Sequence, residues 1–167
     1  GGDAPGGGAP TPSEPKDLIL VPVNGDWTGV LQVEYDPNDV TFAMSSYFSF
    51  LAMAGDDYQD MVGIRGTNNV FQDYLRQGGV IAQPTVAAPG WQDTPTSGFT
   101  AAGTYWLKLE KEGDTYFASW SADGETFTEL FRLEGTGIEA DYIVIDAYKT
   151  STFSFGGDNN WLFTLKN

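Results

Sequence analysis

Period-two alternation, interrupted by turn residues every ten or so positions from Asp17 onward, constrains this chain more than any other feature. Successive side chains of a strand point to opposite faces, so alternating apolar and polar residues give one dry and one wet face. In "DWTGVLQVEYDP", Leu31, Val33 and Tyr35 alternate with Val30, Gln32 and Glu34. No segment sustains a 3.6-residue period, so little or no helix is expected. The pattern predicts an all-β fold, a two-sheet antiparallel sandwich. Strands are expected near 17–23, 27–35, 46–53, 60–66, 70–76, 79–83, 104–111, 114–121, 126–133, 141–148 and 160–166.

The most regular stretch is "YWLKLEKEGDTYFASWSADGETFTEL", residues 105 to 130. Leu107 and Leu109 face one way and Lys108 and Glu110 the other. After a Gly113-Asp114 turn, Tyr116, Ala118 and Trp120 share a face. Asp123-Gly124 predicts a tight hairpin turn with both central residues at positive φ. The stretch therefore reads as a three-stranded meander whose aromatics are mostly core.

The 167 residues suffice for one domain with a core. Residues 1–16 hold four of the nine prolines and no large apolar residue. They cannot bury enough surface to offset chain entropy, so they read as a Gly/Pro-rich tail or linker before a sandwich domain over 17–167. Eight Lys and Arg stand against 23 Asp and Glu, a net charge of −15. Polyanions are repelled by most of such a surface, so nucleic acid is excluded as a partner. No apolar run approaches the roughly 20 residues of a spanning helix, which argues against membrane insertion. The acidity suits an extracellular or cell-surface setting.

The chain contains neither Cys nor His. That removes Ser-His-Asp and Cys-His catalysis, His-ligated zinc and ordinary His acid/base chemistry together.

"DLILVPVNGDWTGVLQVEYDP" (17–37) resembles the strand-turn-strand of the concanavalin A-like β-sandwich at the C-terminus of family 43 β-xylosidases and in related appended carbohydrate-binding domains. The 105–130 stretch resembles the hairpin pair of the same family, a Leu-x-Leu strand, a Gly-Asp turn, an aromatic strand and a Ser-x-Asp-Gly turn. "QGGVIAQPTVAAPG" falls between them where that family carries a Gly-turned strand pair. The resemblance implies a jelly-roll sandwich that accompanies a catalytic domain or a cell-surface protein, and sugar binding, as in many relatives. In the family a strand or two precedes the position of Asp17, where this chain has its Gly/Pro tail. That departure implies shorter sheet edges or a strand donated by a neighbour.

Retaining β-glucanases of the wider superfamily carry Glu-x-Asp-x-x-Glu on one strand, so that two carboxyls lie about 5 Å apart. The nearest match, "EADYIV", offers Glu139 and Asp141 but Val144 in place of the acid/base. No catalytic motif is present by this measure, and a non-enzyme is expected.

A sugar site needs an aromatic face for the pyranose ring and planar polar groups for its hydroxyls. In "VFQDYLRQ", Gln72, Tyr74 and Arg76 share one face of a strand, with Phe71, Asp73 and Leu75 on the opposite, core-facing side. "MVGIRG" adds Arg65 on the preceding strand, and Trp91 in "APGWQDTP" is the loop aromatic most suited to exposure. These five residues are the candidate carbohydrate site; a wet sheet face is the structural alternative. Asp36, Asn38 and Asp39 in "DPNDV", Asp56, Asp57 and Asp60 in "GDDYQD", and Asp158 and Asn159 in "GGDNN" supply hard oxygens for a structural calcium, none with a recognised calcium-loop spacing.

The expectation is a non-catalytic extracellular carbohydrate-binding sandwich with a polysaccharide or glycan as partner. The alternative is an assembly subunit of a cell-surface layer, filament or virion, whose N-terminal tail packs on a neighbouring copy.

Overall fold

The computed structural model describes residues 15–35, 47–67, 70–83, 103–148, 153–154 and 163–167. These form twelve strands: β1 Pro15–Pro22, β2 Trp27–Tyr35, β3 Tyr47–Ala54, β4 Asp60–Thr67, β5 Val70–Gln77, β6 Val80–Gln83, β7 Gly103–Glu112, β8 Thr115–Ser121, β9 Thr128–Leu133, β10 Tyr142–Tyr148, β11 Phe153–Ser154 and β12 Phe163–Lys166. There is no helix among the described residues.

The strands make two antiparallel sheets. One has the order β1-β10-β3-β4-β5-β6, and the other β11-β2-β7-β8-β9, with β12 also paired to β2. This is the expected all-β sandwich, and ten of the eleven expected strands match observed ones within about two residues. Of the strand expected over 160–166, residues 160–162 lie outside the described residues and the rest is β12; the two-residue β11 was not foreseen. The sheet-edge position beside β10 is filled by the chain's own β1, which starts at Pro15 within the segment read as tail.

Alternation explains the core. On β7, Tyr105, Leu107, Leu109 and Lys111 are buried, and the residues between them are half-buried. Leu109 faces Ala118 and Lys111 faces Tyr116 across the β7–β8 pair, so both strands present the same side inward. Trp27, Leu31 and Val33 of β2 join them. From the six-stranded sheet come Phe50 and Ala52, Val62 and Ile64, and Ile143 and Ile145, all without solvent contact. Each of the Phe, Val and Ile side chains contributes roughly 1.5–3 kcal/mol by leaving water. Leu75 packs against this cluster, as expected of the Asp73–Leu75 side of β5.

The expected tight turn at Asp123-Gly124 is replaced by a wider loop. Gly124 has φ 80°, but Asp123 does not enter the left-handed region. Instead the Asp123 carboxylate accepts the backbone N–H of Glu125 at 2.8 Å, that of Thr126 at 2.9 Å and the Ser121 hydroxyl at 2.9 Å. A short acid that satisfies several donors competes with the two-residue turn. The same bonds hold its carboxyl below the usual range.

Gly63 on β4 carries the tightest backbone approach. Its φ is 153°, and a Cβ there would stand 2.5 Å from the Phe50 carbonyl oxygen and 3.0 Å from the Leu51 Cα. Both obstacles are backbone, which moves only with the sheet. Gly63→Ala is therefore expected to cost about 3 kcal/mol, roughly a 10 °C fall in Tm. Thermal denaturation by circular dichroism checks this, and an unchanged Tm would contradict it.

Candidate functional site

The face of the six-stranded sheet turned away from the second sheet gathers most of the candidate residues. Directly opposed residues of an antiparallel pair project to the same side, so strand registers define rows across this face. One row holds the positions of Leu18, Asp146, Ser49, Arg65 and Gln72. The next holds Leu20, Val144, Leu51, Gly63 and Tyr74, and the third Pro22, Tyr142, Met53, Met61, Arg76 and Ile81. Arg65, Tyr74 and Arg76 thus lie on one side of two adjacent strands, and Gln72 holds the register position opposite Arg65. Trp91 lies outside the described residues, as do Asp36, Asn38, Asp39, Asp158 and Asn159.

The middle of this face is apolar. Leu51, Met53, Met61, Tyr74 and Val144 form a second buried cluster, and Tyr58 and Tyr142 pack against it half-buried. Tyr74 is only 4% exposed, so its ring is part of the floor rather than an open platform. The Arg65 guanidinium carbon stands 5.4 Å from its centroid, a cation–π contact that fixes the arginine over the floor. Among the described residues, the aromatic rings at the margin belong to Tyr58 and Tyr142. Both escaped the sequence reading. "GDDYQD" drew notice for its acids alone, and Tyr142 opens a strand in which every residue but Asp146 is apolar.

Tyr58 is the one non-glycine residue at positive φ among those described, at 62°. Such a conformation costs of order 1 kcal/mol and persists where surroundings enforce it. Here the β3–β4 loop is tied to the β5–β6 turn, with Gly79 N–H donating to the Gln59 carbonyl at 2.9 Å and Gly78 N–H to Asp60 Oδ1 at 2.9 Å.

Those bonds also bear on calcium. Asp60 accepts from Gly78, and Asp57 Oδ1 accepts the Gln59 N–H at 3.4 Å. Asp56, Asp57 and Asp60 do not converge, and no group of three or more acids able to hold a metal occurs among the described residues. Asp57 and Asp60 thus serve to order the loop.

Glu139 and Asp141 also hold the structure together. Glu139 reaches the buried Lys111 Nζ at 3.1 Å, which Asp26 approaches from 3.5 Å, and Asp141 Oδ2 accepts the Gly55 N–H at 2.7 Å. Val144 is buried in the apolar floor.

Asp146 is the described carboxyl within the rows, also missed from sequence. The residue is half-buried, but its Oδ1 is closed to solvent and without a hydrogen-bond partner among the described residues. Burial raises its pKa to about 6, against the lowering effects of hydrogen bonds from Ser49 side chain and backbone and of the Arg65 charge. Desolvation disfavours the charged form and outweighs the other effects. Asp146 and Asp56 in turn add to the burial that raises the Tyr58 hydroxyl.

Compared by sequence, the chain matches no protein-family profile and no curated protein. Its structure is similar to chicken galectin 2, with a TM-score of 0.54 and 10% identity over 91% of this chain and 99% of that one. It is also similar to the carbohydrate-binding module CBM66 from Bacillus subtilis, with a TM-score of 0.51 and 10% identity over 90% of this chain and 78% of that one. A xylan β-1,4-xylosidase from Bacillus halodurans matches with a TM-score of 0.50 and 13% identity over 85% of this chain but 28% of the enzyme. The fold is the concanavalin A-like jelly-roll sandwich that the sequence resemblance implied.

The raised Asp146 pKa sets a sign for pH dependence. Between its unfolded value near 3.8 and its folded value near 6, the folded chain binds the extra proton. Its contribution to stability is therefore present below about pH 4 and lost as pH rises through 6, at most about 3 kcal/mol. The Tm of the parent should rise from pH 7.5 to 5, and Asp146→Asn should flatten that rise. Equal slopes for parent and variant would contradict the assignment.

Proposed function

We propose that the chain is a non-catalytic, extracellular carbohydrate-binding module whose site is the outer face of β10, β3, β4 and β5. The observation that carries this reading is the placement of Arg65, Tyr74 and Arg76 on one side of two adjacent strands, over an apolar floor with tyrosines at its margin. A sugar presents both C–H faces and hydroxyls. Half-buried Tyr58 and Tyr142 suit the first, and arginine forks suit the second.

Two further points support the reading. Solved structures of similar fold include chicken galectin 2 and the carbohydrate-binding module from Bacillus subtilis. Retaining glycoside cleavage needs two carboxyls about 5 Å apart, and the described part of the three rows has one, Asp146. Glu139 and Asp141, the nearest sequence match to a catalytic set, are engaged by Lys111 and the Gly55 amide.

Affinity electrophoresis through gels containing xylan, arabinan, β-glucan, mannan, pectin and fructan tests the proposal. At least one polymer should retard the intact chain, and Arg65→Ala should weaken that retardation at least tenfold, about 1.4 kcal/mol. Equal mobility in every gel would sink the reading.

A further inference from the structure

The arginines of this acidic chain are unequally used. There are three, Arg65, Arg76 and Arg132, in a molecule of net charge −15. Arg132, on the other sheet, is held by Glu129 through two hydrogen bonds, Nε at 3.1 Å and Nη2 at 2.8 Å. Lys108 pairs with Glu110 at 3.8 Å, and Lys111 lies between Asp26 and Glu139. Arg65 lies over Tyr74 and is attracted by Asp146.

Arg76 differs from all of these. No carboxylate pairs with it among the described residues, and its Nε, like that of Arg65, is closed to solvent and makes no hydrogen bond there. With nearly three acids for every base in the chain, a counter-ion would be easy to supply. Its register neighbours are Met61 on one side and Ile81, 51% exposed, on the other. An arginine beside apolar side chains keeps its fork ordered and partly desolvated, where a carboxylate makes its strongest, two-pronged contact.

We propose that this face takes an acidic glycan, one whose sugar units carry carboxylates, and that Arg76 is the residue that reads this charge. The inference rests on the carbohydrate reading of the same face and narrows its ligand class. It also accommodates the net charge. A surface of −15 repels polyanions over most of its area, so retention of an acidic polymer must come from a local basic site. Arg65 and Arg76 are the two arginines of the six-stranded sheet, on adjacent strands and the same side.

The test is affinity electrophoresis of the full chain in polygalacturonate and in alginate, each beside its carboxyl-reduced counterpart, with Arg76→Gln and Arg132→Gln as variants. Matching Tm values for parent and variants exclude unfolding as the cause of any loss. The intact chain should be held at least tenfold more tightly by one acidic polymer than by its reduced form. Arg76→Gln should bring that ratio toward one, and Arg132→Gln, which removes the same charge elsewhere, should leave it.

Equal retention by acidic and reduced polymers would overturn the charge inference while the carbohydrate reading stands, as would binding to neutral polymers alone. Retention by none of the wider polysaccharide panel would remove both. A ratio that survives in Arg76→Gln, or falls equally in Arg132→Gln, would overturn the role of Arg76.

Discussion

Burial on both sides of the same three strands is the constraint from which the rest of this structure follows. β3, β4 and β10 send Phe50, Ala52, Val62, Ile64, Ile143 and Ile145 into the space between the sheets. Their alternate residues Leu51, Met53, Met61 and Val144 build a second buried cluster on the outer side. A sheet with apolar residues on one face alone can leave the other to water, but this one must shield both. The described shield is made of amphipathic side chains: Tyr58 and Tyr142 at the margin, and Arg65 over Tyr74. Side chains with an apolar body and a polar end cover such a floor while leaving hydrogen-bonding groups at its surface.

The charges on the two sheets behave differently as a consequence. On and around β7 to β9 they are engaged locally. Lys111 is buried between two carboxylates, Asp123 organises its loop, and Arg132 grips Glu129 while lying 4.7 Å from the Phe117 ring centroid. On the outer face of the six-stranded sheet the polar groups are partly desolvated by the floor beneath them. Asp146 holds its proton to unusually high pH, and Arg76 has a closed-off Nε. Partly desolvated polar groups on an ordered scaffold are the raw material of recognition, because a ligand completes bonds that the chain leaves unmade.

Much of the fold was legible because alternation and turn chemistry are local. Leu31 and Val33, or Leu107 and Leu109, declare their buried side within a few residues. The outer face was half legible. Gln72, Tyr74 and Arg76 could be placed together from their spacing, yet the burial of Tyr74 depends on Leu51, Met61 and Val144 from three other strands. In "YFSFLAMA" apolar residues occupy both parities, so the pattern does not mark which side faces the second sheet. Asp146 escaped notice because a lone acid in a strand carries no local sign of its desolvation. The Asp123-Gly124 turn misled for a related reason: the dipeptide favours a tight turn, and the acid's bonds to Ser121, Glu125 and Thr126 override it.

The central claim is that ligand binds the outer face of β10, β3, β4 and β5, and residue-resolved NMR of the 15N-labelled full chain addresses it most directly. Trigalacturonate serves as the acidic probe and xylotriose as the neutral one. The account predicts that amide shifts on titration cluster at Ser49, Arg65, Tyr74, Arg76 and Asp146, with the arginine Nε–H signal of Arg76 moving most with the acidic probe. Shifts confined to β7, β8 and β9, or no shifts with either probe while a polysaccharide gel still retards the chain, would place the site elsewhere and contradict it.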